Sequence, residues 1–288
     1  MISWPPSLIT DLARRRTVLL IGSGVSKHSV TSTGSRPPTW HEFLTQAILD
    51  CPGGAPSHIG QALDQGDYLH ACELLKVRFD EGWIPYLRRI FQEPGYPPAQ
   101  IHQALLSLDC RVVFTLNFDD IYERAAKALN PGSHIVKNYY DSDAVEFLKG
   151  TGRYIVKVHG SLDSPAKLIF TQADYARART NNSFFYQAFD AALMTHSFLF
   201  VGAGYSDPDV NLLLENQKFS SPSNQPHYFL TSGISSDDLK NSLRNNRNLK
   251  VIEYDKLDSL HTGLVQEMTA LGTRVDYERQ ALGVSTNW

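Results

Sequence analysis

The stretch Thr17-Val18-Leu19-Leu20-Ile21-Gly22-Ser23-Gly24-Val25-Ser26 decides the fold. Five apolar or β-branched residues without a polar break read as a strand buried on both faces, as in a parallel sheet. Gly22 and Gly24 close it with a tight turn, and Ser26 stands where a helix would begin. Such a turn lets backbone N–H groups approach a phosphate, and the helix start adds positive potential. Taken alone, the same pattern equally suits a glycine turn that only reverses the chain.

Three later segments repeat the setting. Arg111–Thr115 runs into Leu116-Asn117-Phe118-Asp119, Tyr154–Val158 into His159-Gly160-Ser161, and Phe198–Val201 into Gly202-Ala203-Gly204-Tyr205-Ser206-Asp207. His227–Leu230 and Leu249–Tyr254 complete six expected strands. Helices are expected between them at Ile101–Leu108, Asp119–Leu129, Phe184–Thr195, from Asp207-Pro208 onward, and at Ser236–Leu243. This alternation predicts an α/β fold, a Rossmann-like parallel sheet with helices on both faces. Ligands of open α/β sheets bind outside the carboxyl ends of the strands, where all four polar segments would lie.

Between Pro38 and Pro98 the pattern changes. Thr39-Trp40-His41-Glu42 is a capping box, with Thr39 as N-cap and Glu42 at the third helical position. Trp40, Phe43, Leu44, Ala47 and Ile48 follow at helical spacing, and helical periodicity persists to about Phe91. A small helical module, residues 39–98, is therefore expected within a main domain of residues 1–38 and 99–275. Residues 276–288 read as a polar, peripheral C-terminal tail.

Composition narrows the function. Of 288 residues, 42% are hydrophobic and 11% aromatic, enough for a packed core. The longest apolar runs are too short to span a bilayer, and the Met1–Pro6 start followed by Arg14-Arg15-Arg16 lacks a signal-peptide pattern. A cytoplasmic protein is expected. The net charge of −3 presents no field that would draw the chain onto nucleic acid. Cys51, Cys72 and Cys110 form no CxxC pair, so no zinc or other metal site is expected.

Asn117 after a strand often only bonds its own backbone, and a lone histidine after a strand is usually structural. Asp119 suits a helix start, as Ser206 or Asp207 would. The order and wording of the segments, however, resemble the sirtuin-like family, in particular its prokaryotic branch that hydrolyses NAD+ in antiphage defence. The resemblance runs from about Thr17 to about Tyr254, and Gly-Ser-Gly-Val-Ser, Thr-Leu-Asn-Phe-Asp and His-Gly stand at that family's motif positions. It implies that Gly22, Ser23, Gly24, Ser26, Gly202, Gly204, Ser206 and Asp207 hold NAD+ as substrate. It also implies that Asn117 acts at the nicotinamide ribose, that Asp119 positions the nicotinamide carboxamide, and that His159 is the general base. Similar helical insertions occur in that family.

The four-cysteine zinc module of deacylase sirtuins is missing. This counts against the deacylase alternative, while a non-catalytic NAD+ or ADP-ribose sensor would need neither Asn117 nor His159. An ordinary NAD-dependent dehydrogenase would carry a full GxGxxG and a later ribose-binding acid. An effector that destroys NAD+ must be restrained. The resemblance therefore implies a partner from the same defence system (a HerA-like ATPase, an Argonaute-type protein or a nucleotide-processing enzyme) or a homo-oligomer.

Overall fold

Seven parallel strands form one sheet: β1 Thr17–Ile21, β2 Val112–Thr115, β3 His134–Asn138, β4 Arg153–Lys157, β5 Ser197–Val201, β6 His227–Thr231 and β7 Leu249–Glu253, in the spatial order β3-β4-β2-β1-β5-β6-β7. The structure is a computed structural model and describes residues 2–204, 207–220, 225–233 and 236–285.

The centre of the sheet is β1, buried along its whole length, with Leu19 aligned to Val113 of β2 and to Leu199 of β5. From β1 the chain adds β2, then the edge strand β3, then β4 between those two, and returns to build β5, β6 and β7 in order on the other side. That reversal is a topological switch point, and the loops after β1, β2 and β5 separate around it.

Alternate strand residues serve opposite faces, as the pleat requires. Leu19 and Ile21 join Val113, Tyr122, Met268 and Leu271 in one core. Val18 and Leu20 join Phe114, Phe189, Phe198 and Leu214 in the other. Helices Pro6–Ala13, Gln100–Ser107, Ile121–Leu129 and Thr262–Ser285 cover the first face. Helices Gln172–Asn181, Ser183–Thr195 and Pro208–Ser220 cover the second. The result is an α/β fold with helices on both faces of a Rossmann-like parallel sheet.

Two stretches differ from the sequence reading. Six strands were expected and β3 makes seven. It pairs only with β4, and Ile135 and Val136 are both exposed, so it lacks the buried apolar run that marked the others. Of residues 276–288, read as a polar tail, all up to Ser285 belong to the helix Thr262–Ser285. Leu264, Met268, Leu271 and Val275 recur on one buried stripe of that helix. Arg279 then donates to the carbonyls of Leu12, Ala13 and Leu108, at 3.3, 3.3 and 2.7 Å.

Residues 40–91 form four main helices, Trp40–Leu49, Ser57–Asp64, Tyr68–Phe79 and Trp83–Phe91. The first begins at the expected capping box: Glu42 N–H donates to Thr39 Oγ1, and Thr39 N–H donates back to Glu42 Oε2 at 2.8 Å. Their shared core of Phe43, Leu44, Leu75, Trp83 and Leu87 also takes in Leu162, Leu168 and Phe170, from the segment after β4. Each buried Phe or Leu contributes about 1.5–3 kcal/mol, so this core fastens the helices to the stretch that follows His159.

Candidate active site

The loops after β1, β2, β4 and β5 meet the helices of residues 40–91 around a cleft of about 490 Å3. Gly22, Ser23, Ser26, Asn117, Asp119, His159, Gly204 and Asp207 all line it. No Lys or Arg does so among the described residues. The opposite wall carries Thr39, Trp40, His41, Asp67 and Tyr68.

Asn117 is held by its amide nitrogen. Nδ2 donates to the Gly22 carbonyl at 3.0 Å and to Ser26 Oγ at 2.9 Å, and the backbone N–H donates to Thr115 Oγ1 at 3.1 Å. A carbonyl only accepts, so the Gly22 contact fixes which end of the carboxamide is nitrogen. The side-chain oxygen is left as the acceptor. The Ser26 hydroxyl is buried and is close enough to Asp119 to favour its ionised form, so Asn117, Ser26 and Asp119 sit side by side.

Burial pushes the Asp119 carboxyl up from its ordinary pKa, opposed by Lys157, the Ile121 N–H and the Ser26 hydroxyl. Beneath it lies a buried ion pair: Lys157 Nζ donates to Glu123 Oε1 at 2.5 Å and to the Asp119 carbonyl at 2.6 Å. Burial likewise pushes Glu123 up, with Lys157 pulling the other way.

His159 is buried at the end of β4, with Nε2 3.1 Å from Asp207 Oδ2 and 3.3 Å from the Tyr175 hydroxyl. Tyr175 donates to the same Asp207 oxygen at 2.9 Å, while Asp207 Oδ1 accepts the Val210 N–H at 2.9 Å and caps the next helix. Burial would raise the Asp207 carboxyl, but His159, the Val210 N–H and Tyr175 together hold it below its usual value. Gly160 adopts φ +82°, and a Cβ there would lie 2.8 Å from the Lys167 carbonyl. The close approach that glycine permits is thus made by the chain's own return segment, which also bonds Ile169 N–H to the His159 carbonyl at 3.2 Å.

Residues 111–252 match the profile of the SIR2-like domain. That part of the chain is SIR2-like. The chain is 26% identical over 237 residues to the NAD(+) hydrolase ThsA of Acinetobacter baumannii, covering 81% of this chain and 46% of that one. It is 25% identical to ThsA of Enterococcus faecium, over 46% of this chain and 28% of that one. With defense-associated sirtuin 2 of Bacillus subtilis it shares 24% over 72% of its own length and 20% of the other's. The chain thus spans less than half the length of each of these relatives.

Not every residue assigned to NAD+ from sequence lies on the cleft wall. Gly24 and Gly202 sit behind it, against each other: Gly24 N–H donates to the Gly202 carbonyl at 2.9 Å, and a Cβ on Gly24 would meet Gly202 Cα at 2.9 Å. The N–H groups of Gly22 and Val25 are also engaged, with the Val201 and Gly22 carbonyls. Ser206 lies outside the described residues. Among those residues, no three His, Cys, Asp or Glu side chains are grouped to hold a metal ion, and no helix is long and apolar enough to cross a membrane.

The cleft also brings in residues that the sequence reading did not place in a site. Tyr175 is one of 13 tyrosines and sits in no motif. Its usable signal was the Thr171-Gln172-Ala173-Asp174 capping box, which starts a helix and places Tyr175 in its first turn. Trp40, His41, Asp67 and Tyr68 were assigned to the helical module without reference to the cleft.

Proposed function

We propose that this chain hydrolyses NAD+ to nicotinamide and ADP-ribose, as an NAD-depleting effector of antiphage defence acting in the cytoplasm. The observation that carries the reading is the convergence of Asn117, Asp119 and His159 in one cleft at the carboxyl ends of the central strands. Relatives named NAD(+) hydrolase and defense-associated sirtuin support it.

The chemistry suits these groups. Nicotinamide in NAD+ is already cationic, so it leaves without protonation as the C1′–N1 bond breaks and its electron pair passes to the ring nitrogen. Water oxygen bonds to C1′, and the proton it loses passes to His159 and then to solvent. Asn117 Oδ1 orients the water or a ribose hydroxyl beside the oxocarbenium-like centre. Asp119 holds the nicotinamide carboxamide, while Gly22, Ser23 and Gly204 meet the ribose and phosphates. General base catalysis contributes roughly 10²–10⁴-fold.

Unrestrained NAD+ loss would kill the cell that makes the protein. The reading therefore includes control by a protein partner or by self-assembly. The test is NAD+ turnover by the purified chain, alone and with proteins encoded beside it, for wild type and His159→Ala. Wild-type cleavage that His159→Ala lacks supports the reading. Equal cleavage by both removes His159 from the site, and wild-type binding without cleavage replaces hydrolysis with NAD+ sensing.

A further inference from the structure

Hydrogen-bond accounting around His159 determines where its proton sits. Asp207 is held ionised by its surroundings, so both of its oxygens only accept. Tyr175 therefore donates its single proton into Asp207 Oδ2, at 2.9 Å. The Tyr175 oxygen is then left as an acceptor as well. Both atoms facing His159 Nε2, at 3.1 and 3.3 Å, are acceptors. A nitrogen lone pair placed there would meet two others, so Nε2 must carry the hydrogen. In a neutral imidazole that leaves Nδ1 bare.

We propose that Tyr175 is a positioning residue which, with Asp207, fixes the His159 proton on Nε2 and so makes Nδ1 the base. Asp207 thereby acquires a role different from ribose or phosphate contact: Oδ2 serves His159 and Tyr175, and Oδ1 caps the helix at Val210. Tyr175 is itself held. Its ring lies 5.4 Å from that of His159 at 79°. The preceding residue, Asp174, closes the capping box with Thr171 and bonds Lys76 of the helical module at 3.2 and 3.3 Å. The catalytic consequence rests on the NAD+-hydrolysis reading, whereas the proton position does not.

The decisive experiment is a long-range 15N–1H spectrum of the full chain with labelled histidine, His159 being assigned by its loss in His159→Gln. At a pH where the ring is neutral by its own spectrum, Nε2 should give the protonated signal and Nδ1 the unprotonated one. In Asp207→Asn the carboxamide oxygen stays on the Val210 N–H and the NH2 turns to Nε2. The tautomer should invert, and kcat should fall at least ~100-fold, in line with the cost of a wrong tautomer in a comparable His–Asp pair.

Tyr175→Phe keeps the ring packing and removes one acceptor. It should populate the Nδ1–H form and lower kcat about 10-fold, with KM within about 2-fold. A wild-type spectrum with the proton on Nδ1 overturns the proposal, whatever the turnover. Unchanged tautomer and kcat in Tyr175→Phe remove Tyr175 from it. If wild type cleaves no NAD+, the hydrolase reading fails while the spectrum still decides the proton position. If Asp207→Asn does not fold, the wild-type and Tyr175→Phe spectra remain decisive.

Discussion

Replacing Asn117 by alanine separates what its two ends do. The nitrogen end makes two buried bonds, to the Gly22 carbonyl at 3.0 Å and Ser26 Oγ at 2.9 Å. Each is worth about 0.5–1.5 kcal/mol, so Asn117→Ala should cost about 1–3 kcal/mol of stability. For a chain of this size that lowers Tm by roughly 2–10 °C, leaving the protein folded at room temperature. In the proposed hydrolysis the oxygen end acts in the transition state, and losing one such preorganised group costs about 10²–10³-fold in kcat, with little change in KM. Ser26→Ala is the matched control, because it loosens the nitrogen end while Asn117 Oδ1 stays. It should lose only about 3–10-fold, comparable to one ordinary hydrogen bond. Turnover of a fluorescent etheno-NAD+ analogue gives kcat and KM, and thermal unfolding gives Tm on the same samples. Asn117→Ala retaining kcat within threefold would refute a catalytic role for the carboxamide. A loss matching only its unfolded fraction would refute it equally.

Two further outcomes follow from the same neighbourhood. Gly24→Ala puts a Cβ 2.9 Å from both Cα and O of Gly202, so one loop must shift. A destabilisation of about 1–3 kcal/mol is expected, read as a lower Tm, and an unchanged Tm with weakened NAD+ binding would place Gly24 at the ligand instead. Asp119→Asn bears on pH. A carboxyl whose folded pKa is raised binds more protons folded than unfolded, so its charge costs stability as pH rises above its unfolded pKa of about 3.9. Removing that charge should leave the apo protein at least as stable at neutral pH, and flatten its stability between pH ~4 and neutrality, while NAD+ cleavage falls. Urea unfolding at the two ends of that range checks the sign, and a steeper pH dependence in Asp119→Asn would contradict it.

The central sheet was legible because β1, β2, β4 and β5 are buried almost throughout, which leaves continuous apolar runs ending in glycine or polar turns. The helix beginning at Trp40 was legible because its start is chemical, in the Thr39–Glu42 reciprocal bonds. Strand β3 escaped because an edge strand exposed at Ile135 and Val136 carries neither a buried run nor strict alternation. Within the site, the order of motifs pointed to Asn117, Asp119 and His159, all of which line one cleft. Partners were not legible. A GxGxS pattern shows that glycine is needed at Gly24 but not that the neighbour is Gly202, 178 positions away in sequence order by the numbering of the two residues. Tyr175 reaches His159 only through the tertiary packing of its helix, and no local pattern encodes that.

The distribution of donors and acceptors bears on which reaction the cleft suits. The Asn117 amide protons are engaged with the Gly22 carbonyl and Ser26 Oγ. The Gly22, Gly24 and Val25 N–H groups go to backbone carbonyls, and Tyr175 donates to Asp207. What Asn117 and His159 then offer a substrate, with the imidazole proton on Nε2 as proposed, is Oδ1 and Nδ1, both acceptors. An acyl-transfer site needs the reverse, because its transition state gains negative charge and calls for preorganised donors. Cleavage of a glycosidic bond to a cationic leaving group builds positive character at the ribose, which acceptors stabilise and donors would oppose. The same bonds that hold these side chains still therefore also select the sign of charge that the cleft favours.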